Sequence, residues 1–368
     1  TDMSFMFSEC KNINNLDVSS FDTSNVTNME NMFSSCEKVN ILYVSKFDTK
    51  NVKDMSFMFN ECKNIISLNL SSFSTSNVNN MGAMFQNCEN IKKLDISNFD
   101  TNKVIDMSYM FFGCKNMNIL DISSFDTYNV TDMKYMFGYC ENIRELNLLN
   151  FVTKNVIDMS FMFRGCKNIS NLNISSFETN NTTKMVGMFN ECENLIELDL
   201  SNFDTQKVID MSYMFNKCKC LKKLIITSFD TKNVIDMSNM FYGCKNLKIL
   251  DLTSFDTSNV TNMLSIFSDC NNLNELNISS FSTKNVTNMI SMFSNCNNLI
   301  KLNLPNNFDT QKVTYMKSMF YNCNKLNNLD LSSFNTKNVK NMSYMFYSCK
   351  NLSNLNISDR GDIVNLLF

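Results

Sequence analysis

A chain of 368 residues is long enough for two or three ordinary domains, but 7 Gly, 1 Pro, no His and no Trp beside 28 Met, 32 Phe and 15 Cys argue against that division. Without His, Ser-His-Asp and Cys-His catalysis and His-containing zinc sites are excluded, and a formal net charge of −3 lacks the basic bias that would point to nucleic acid. No apolar run approaches the roughly 20 residues of a membrane span, and no charged segment followed by an apolar stretch opens the chain, so any signal or anchor would lie outside this segment.

The cysteines Cys10, Cys36, Cys62, Cys88, Cys114, Cys140, Cys166, Cys192, Cys218, Cys244, Cys270, Cys296, Cys323 and Cys349 recur every 26 residues, with one step of 27 before Cys323. A fixed period in the range of about 20–50 residues marks a solenoid. Counted from Leu16 of Leu16-Asp17-Val18, thirteen units cover 16–354, with partial units at 1–15 and 355–368. The whole of 1–368 is therefore predicted to be a single repeat domain.

Within a unit, positions 24, 1 and 3 are apolar, as in Ile91, Leu94 and Ile96. The alternation at 1 and 3 predicts a short strand with one buried face. Phe at position 6 and Thr at position 8 are invariant, from Phe21 and Thr23 to Phe334 and Thr336. Position 11, mostly Val, and position 14, always Met, flank a second extended stretch such as 129–133. Positions 14, 17, 18 and 21, as in Met107, Met110, Phe111 and Cys114, have helical spacing and predict a helical or 3₁₀ corner. Asn, Asp and Ser would make the turns in place of Gly and Pro. Nine side chains per coil point inward, and stacking is needed to complete their burial. The expected fold is a β-solenoid, leucine-rich-repeat-like, with about fourteen stacked coils. The extra residue in Leu304-Pro305-Asn306-Asn307-Phe308 should bulge outward and leave the flanking ladders in register. The departure from consensus at 359–368 suggests a C-terminal cap. The start at position 12 of a unit suggests a piece of a longer protein, or an N-terminal coil covered by something else.

The stretches Leu94 through Cys114 and Leu247 through Cys270 follow L-x-x-L-x-I-S-S-F-D-T-x-N-V-T-D-M-S-x-M-F-x-G-C wholly or in part. The chain thereby resembles the BspA-like leucine-rich repeat of bacterial and protist surface proteins, and most closely its mycoplasma-lipoprotein variant. The resemblance extends over essentially the whole chain. It implies display outside the cell and a role in adhesion, host-protein binding or antigenic variation. It implies no catalytic residue and no cofactor. Scarce Ala, Gly, Pro and Arg beside abundant Asn, Lys, Ile and Phe suit an A/T-rich genome.

Columns of chemistry invite sharper readings. Cysteines one strand apart sit about 4.8 Å from one another, beyond the usual 3.5–4.5 Å between bridged Cβ atoms, which favours a structural ladder of buried free thiols over disulfides or metal. Cys218-Lys219-Cys220 is a weak metal signal beside simple drift. The Thr column could form a hydroxyl face for ice or glycan, but is read as bonding backbone in a tight turn. Asp columns at position 2 (Asp95, Asp121, Asp199, Asp251, Asp330) and position 13 (Asp106, Asp132, Asp158, Asp210, Asp236) could bind calcium, but are read as a solvated face. Sequons such as Asn129-Val130-Thr131 are by-products of the repeat.

A recognition surface is expected where residues vary on an unchanging core. Positions 26 and 2, on the outer side of the first strand, supply the candidates Lys93, Asp95, Asp121, Glu145, Glu197, Asp199, Lys223, Asp251, Glu275 and Lys301. The predicted function is a non-enzymatic, surface-displayed module for adhesion or protein interaction. Its partner would be a protein, such as a host surface or matrix protein. The alternative is a structural scaffold that self-associates end to end or edge to edge into filaments.

Overall fold

A computed structural model describes residues 1–306 and 308–357. The chain is a β-solenoid of about thirteen coils, each close to 26 residues. Two compact units divide it, Thr1–Thr182 and Thr183–Phe368, each a stack of such coils. The cap suggested at 359–368 lies outside the described residues.

In each unit the first strand pairs in parallel with its equivalent one repeat on. In Thr1–Thr182, Asn15–Asp17 pairs with Ile41–Tyr43 and Lys93–Leu94 with Ile119–Leu120. In the second unit Glu197–Asp199 pairs with Lys223–Ile225, Glu275–Asn277 with Lys301–Asn303, and Asn328–Leu331 with Asn354–Ile357. Leu of position 1 lies opposite Leu of position 1 every time, as in Leu94 with Leu120. The second extended stretch shrinks to one parallel bridge per coil at position 13, as in Asp106 with Asp132 and Asp236 with Asn262.

All nine positions expected to face inward do so. In one coil Leu94, Ile96, Phe99, Val104, Met107, Met110, Phe111, Cys114 and Met117 are all buried. The position-18 phenylalanines stack face to face, with Phe85 and Phe111 5.8 Å apart at 5° between planes. Position 6 repeats this more loosely, with 6.3 Å between Phe47 and Phe73 and between Phe229 and Phe255.

Among the described residues the helical corner does not form. Positions 14 to 21 are instead a run of overlapping β-turns. The amides of Met32, Ser34 and Cys36 donate to the carbonyls of Met29, Asn31 and Phe33. The intervening amides of Met29, Asn31, Phe33 and Ser35 donate to Asp54, Ser56, Met58 and Asn60 in the next coil, at 2.7–3.0 Å. Left-handed backbone at positions 16 and 20, as at Asn31 (φ 54°) and Ser35 (φ 59°), makes this alternation geometrically possible and rules out a helix. Tyr, Phe, Glu and Lys occupy these positions elsewhere, for example Tyr109, Phe161, Glu191 and Lys217. Each such residue costs roughly 1–2 kcal/mol, which the inter-coil ladder offsets.

Side chains staple the coils where strands are short. The Thr101 hydroxyl donates to the Asp126 carbonyl and accepts the Asp126 amide, both at 2.8 Å. Thr49 does the same with Ser74, and Thr153 with Glu178. The threonines thus bond backbone, but that of the next coil rather than of their own turn. Asn at position 10 adds a second staple, as from Asn129 to the Asn102 carbonyl at 2.7 Å and Asn233 to the Gln206 carbonyl at 2.8 Å. Buried thiols donate to the position-18 carbonyl of the preceding coil, as from Cys88 to Phe59, Cys140 to Phe111 and Cys270 to Phe241, at 3.0–3.2 Å. A small apolar residue with a weak donor suits that site.

Ladder register is kept past the inserted residue, with Asn288 bridging to Tyr315 and Asn328–Leu331 pairing with Asn354–Ile357, while the expected outward bulge falls at residue 307, outside the described residues. The local effect of the insertion is on a staple. Thr283, whose equivalents bond the next coil, keeps a buried hydroxyl without a partner among the described residues.

Thr101→Val should destabilise the protein by about 1–3 kcal/mol in urea unfolding, because it strands the Asp126 amide and carbonyl. Thr283→Val should cost nothing measurable or stabilise slightly, since no bond is lost there. Equal losses at both sites would refute the staple. In the folded protein a thiol reagent should find only the half-buried Cys10, Cys220 and Cys349, with the remaining thiols reacting after unfolding. Burial pushes the thiols of Cys114, Cys166, Cys244 and Cys296 from about 9 up to about 12. Between those values the unfolded chain has lost protons that the folded chain retains. Stability is therefore full below about pH 9 and falls progressively as pH rises toward about 12. Urea midpoints that stay flat from pH 8 to 10.5 would contradict this.

Candidate functional site

The outer side of the first strand is built by the strand's own period of two. Leu at position 1 points into the core, so positions 26 and 2 on either side point out. All ten candidates are exposed: Lys93, Asp95, Asp121 and Glu145 in the first unit, and Glu197, Asp199, Lys223, Asp251, Glu275 and Lys301 in the second. Register places Glu197 beside Lys223 and Glu275 beside Lys301, so opposite charges meet at these two steps of the face. Large apolar side chains share it, with Ile119 55% and Ile249 80% exposed.

The acids at position 2 carry a structural duty that the sequence reading did not assign to them. Asp95 Oδ1 accepts the Ser97 hydroxyl at 2.8 Å and the Ser97 amide at 3.2 Å, closing the turn that leaves the strand. Asp121 does this with Ser123, and Asp251 with Thr253. Asp199 accepts the Ser201 amide at 2.9 Å. These bonds hold the four carboxyls below their ordinary range; hydroxyl donation is the largest cause at Asp95, Asp121 and Asp251, and amide donation at Asp199. The freely variable chemistry of the face therefore resides in position 26 more than in position 2.

Position 13 corrects the expectation of a solvated acidic face. Asp106, Asp132 and Asp158 each accept the amide two residues on, at 2.7–2.8 Å, and so start the corner. Asp158 is buried and Asp132 is half-buried. Burial, more than the neighbouring carboxylates, pushes Asp132 upward. Among the described residues no group of three or more His, Cys, Asp or Glu side chains is arranged to hold a metal ion. Cys220 lies in a ladder of position-23 asparagines, with Sγ 3.8 Å from Asn194 Oδ1. The same ladder links Asn116 to Asn90 and Asn272 to Asn246 at 3.0–3.3 Å.

Three features escaped sequence reasoning. Position 25 also faces solvent, exposing Ile66, Ile196 and Ile300 and the lysines Lys222 and Lys248. From Lys11 to Lys219 position 22 alternates in sign, and the pairs Lys115–Glu89, Lys167–Glu141 and Lys219–Glu193 close at 2.7–3.0 Å. A period of 52 residues in charge was the available signal. The third is a half-buried aromatic cluster on the corner. Tyr135 stacks between Tyr109 and Phe161 at 4.9 and 4.7 Å, Phe112 meets Tyr139 edge-on, and Arg164 packs on Tyr139 and Phe161. A Cβ on Gly165 would come within 2.7 Å of the Tyr139 ring, so glycine makes that packing possible.

No helix among the described residues is long and apolar enough to cross a membrane. Solved structures with similar folds include a leucine-rich repeat protein from Bacteroides ovatus (15% identity, 89% of this chain and 81% of that one, TM-score 0.46). Another, from Eubacterium ventriosum, has 15% identity over 89% of this chain and 81% of its own, with a TM-score of 0.35. A leucine rich cell surface protein from Faecalibacterium prausnitzii has 13% identity over 86% and 85%, with a TM-score of 0.33. No curated protein matches the chain. A family model described as "Mycoplasma protein of unknown function, DUF285" matches residues 1–94, 65–147, 140–225, 220–307 and 278–363. The 26-residue repeat that resembles the mycoplasma form of the BspA-like leucine-rich repeat thus has its counterpart in that model, and the chain belongs to the DUF285 family.

Proposed function

We propose that this protein is a non-enzymatic binding scaffold, displayed at the cell surface, whose first-strand face engages protein partners in adhesion. The observation that carries the proposal is the separation of duties along the strand. Position 1 is held to Leu by core burial, while position 26 on the exposed side runs through Lys93, Ile119, Glu145, Glu197, Lys223, Ile249, Glu275 and Lys301. A constant core with changing outward chemistry is how repeat proteins diversify binding without altering the scaffold. The shifted carboxyls at position 2 are accounted for by turn bonding and the shifted thiols by core burial, which leaves these groups with structural explanations. Surface display is supported by the family resemblance read from the repeat.

Beads coated with the protein should adhere to immobilised host matrix or cell-surface proteins. Glu145→Lys with Glu275→Lys should reduce adhesion several-fold, whereas Lys103→Glu, at position 10 away from this face, should leave it unchanged. Adhesion insensitive to the strand-face pair would overturn the assignment of the face. In parallel, protease treatment of intact cells should remove the protein, and its survival would refute surface display.

A further inference from the structure

One stretch of the strand face breaks the repeat's rule. Position 2 holds Asp or Asn in most coils and closes the following turn, but in the coil of Lys223–Ile225 it is Ile225. One coil further, position 26 is Ile249, 80% exposed. Together with Leu224 they line a largely apolar groove of about 450 Å³ within the second unit. That volume falls in the range of ligand clefts, roughly 300–1,000 Å³. Lys222, Lys223 and Lys248 border the same groove, and Asp251 is the one acidic side chain among its lining residues. Asp251 is already engaged through Oδ1 by Thr253.

The surrounding charge is equally local. Between Lys217 and Lys248 the sequence carries seven lysines against Asp230 and Asp236, in a chain whose net charge is −3. Lys217 and Lys219 are taken up by Glu191 and Glu193 at 3.0 and 2.7 Å. The three lysines at the groove make no such ion pair among the described residues. An apolar floor left open to water, bordered by three lysines that close no ion pair among the described residues, departs from what core packing and turn formation require of these positions.

We propose that this groove binds an extended acidic peptide segment, seating one apolar side chain between Ile225 and Ile249 while its carboxylates engage Lys222, Lys223 and Lys248. The assignment rests on the strand-face reading above and narrows it to one partner chemistry. Single-stranded nucleic acid fits less well, because the lining holds no aromatic ring or Arg on which a base would stack. An anionic bilayer fits less well, because the apolar surface lines a groove that includes an acidic residue.

The test is selection of a random dodecapeptide library on the intact protein at 0.15 M salt. Recovered peptides should be enriched in Asp and Glu flanking Leu, Ile or Phe. Their binding should fall at least tenfold in Lys222→Glu with Lys248→Glu, and also in Ile249→Asp. Lys312→Glu, remote from the groove, should leave it unchanged. All three proteins are to be checked for wild-type circular dichroism and melting, and the charge-reversed protein should instead select basic peptides. Selection without acidic enrichment, or acidic peptides that the groove variants bind as well as wild type, would overturn the proposal. Binding of a thymidine oligonucleotide or of phosphatidylserine vesicles through the groove residues, with no peptide enrichment, would reassign the groove. Peptides lost on Glu145→Lys with Glu275→Lys but retained by the groove variants would sink this proposal and leave the strand-face function standing.

Discussion

Every coil has to serve two partners with one backbone. Through positions 14 to 21 alternate amides close turns inside their own coil, and the ones between reach carbonyls of the next, as the Met29 to Cys36 segment shows. Neither set can shift without stranding the other, because buried backbone groups left unpaired cost as much as the bonds they lose. The 26-residue period follows from this double use. A residue added inside the corner would throw all the inter-coil donors out of phase. The single insertion falls between Leu304 and Phe308, after the first strand, where the next coil is reached by a side-chain staple, and Thr283 loses its bond there.

The same constraint accounts for the odd composition. With strands of only two to four residues, ladder hydrogen bonds alone are few. Thr at position 8, Asn at position 10 and Cys at position 21 add a second, side-chain set of inter-coil bonds. Met and Phe fill the remaining interior, where the stacked position-18 rings keep the coils at one spacing. Glycine is spared for a few close approaches, such as Gly165 under Tyr139. Since stability is generated at inward and turn positions, the outer side of the first strand is free to change, and the groove at Ile225 and Ile249 is one outcome of that freedom.

Much of this was legible from sequence. The repeat length, the nine inward positions, the strand at positions 1 to 3, and the register kept past the insertion all follow from apolar spacing, because burial acts on each position independently of its neighbours' conformation. The corner was not legible. Met107, Met110, Phe111 and Cys114 are spaced as on a helix, and overlapping turns with left-handed residues at Tyr109 and Gly113 place those same side chains inward. Apolar spacing cannot distinguish two backbones that bury the same residues.

The candidate surface divides the same way. That positions 26 and 2 face outward was determined by the period of a strand. That Asp95 and Asp121 spend an oxygen on their own turns, that Lys222 and Lys248 from position 25 join Lys223 at one groove, and that Tyr109, Tyr135 and Phe161 stack into a cluster were decided only by the stacking of coils. The sequence by itself determined which side chains a coil must bury, since that depends on hydrophobicity along one chain. Which exposed side chains meet depends on residues 26 apart becoming neighbours, and only the tertiary structure brings them together.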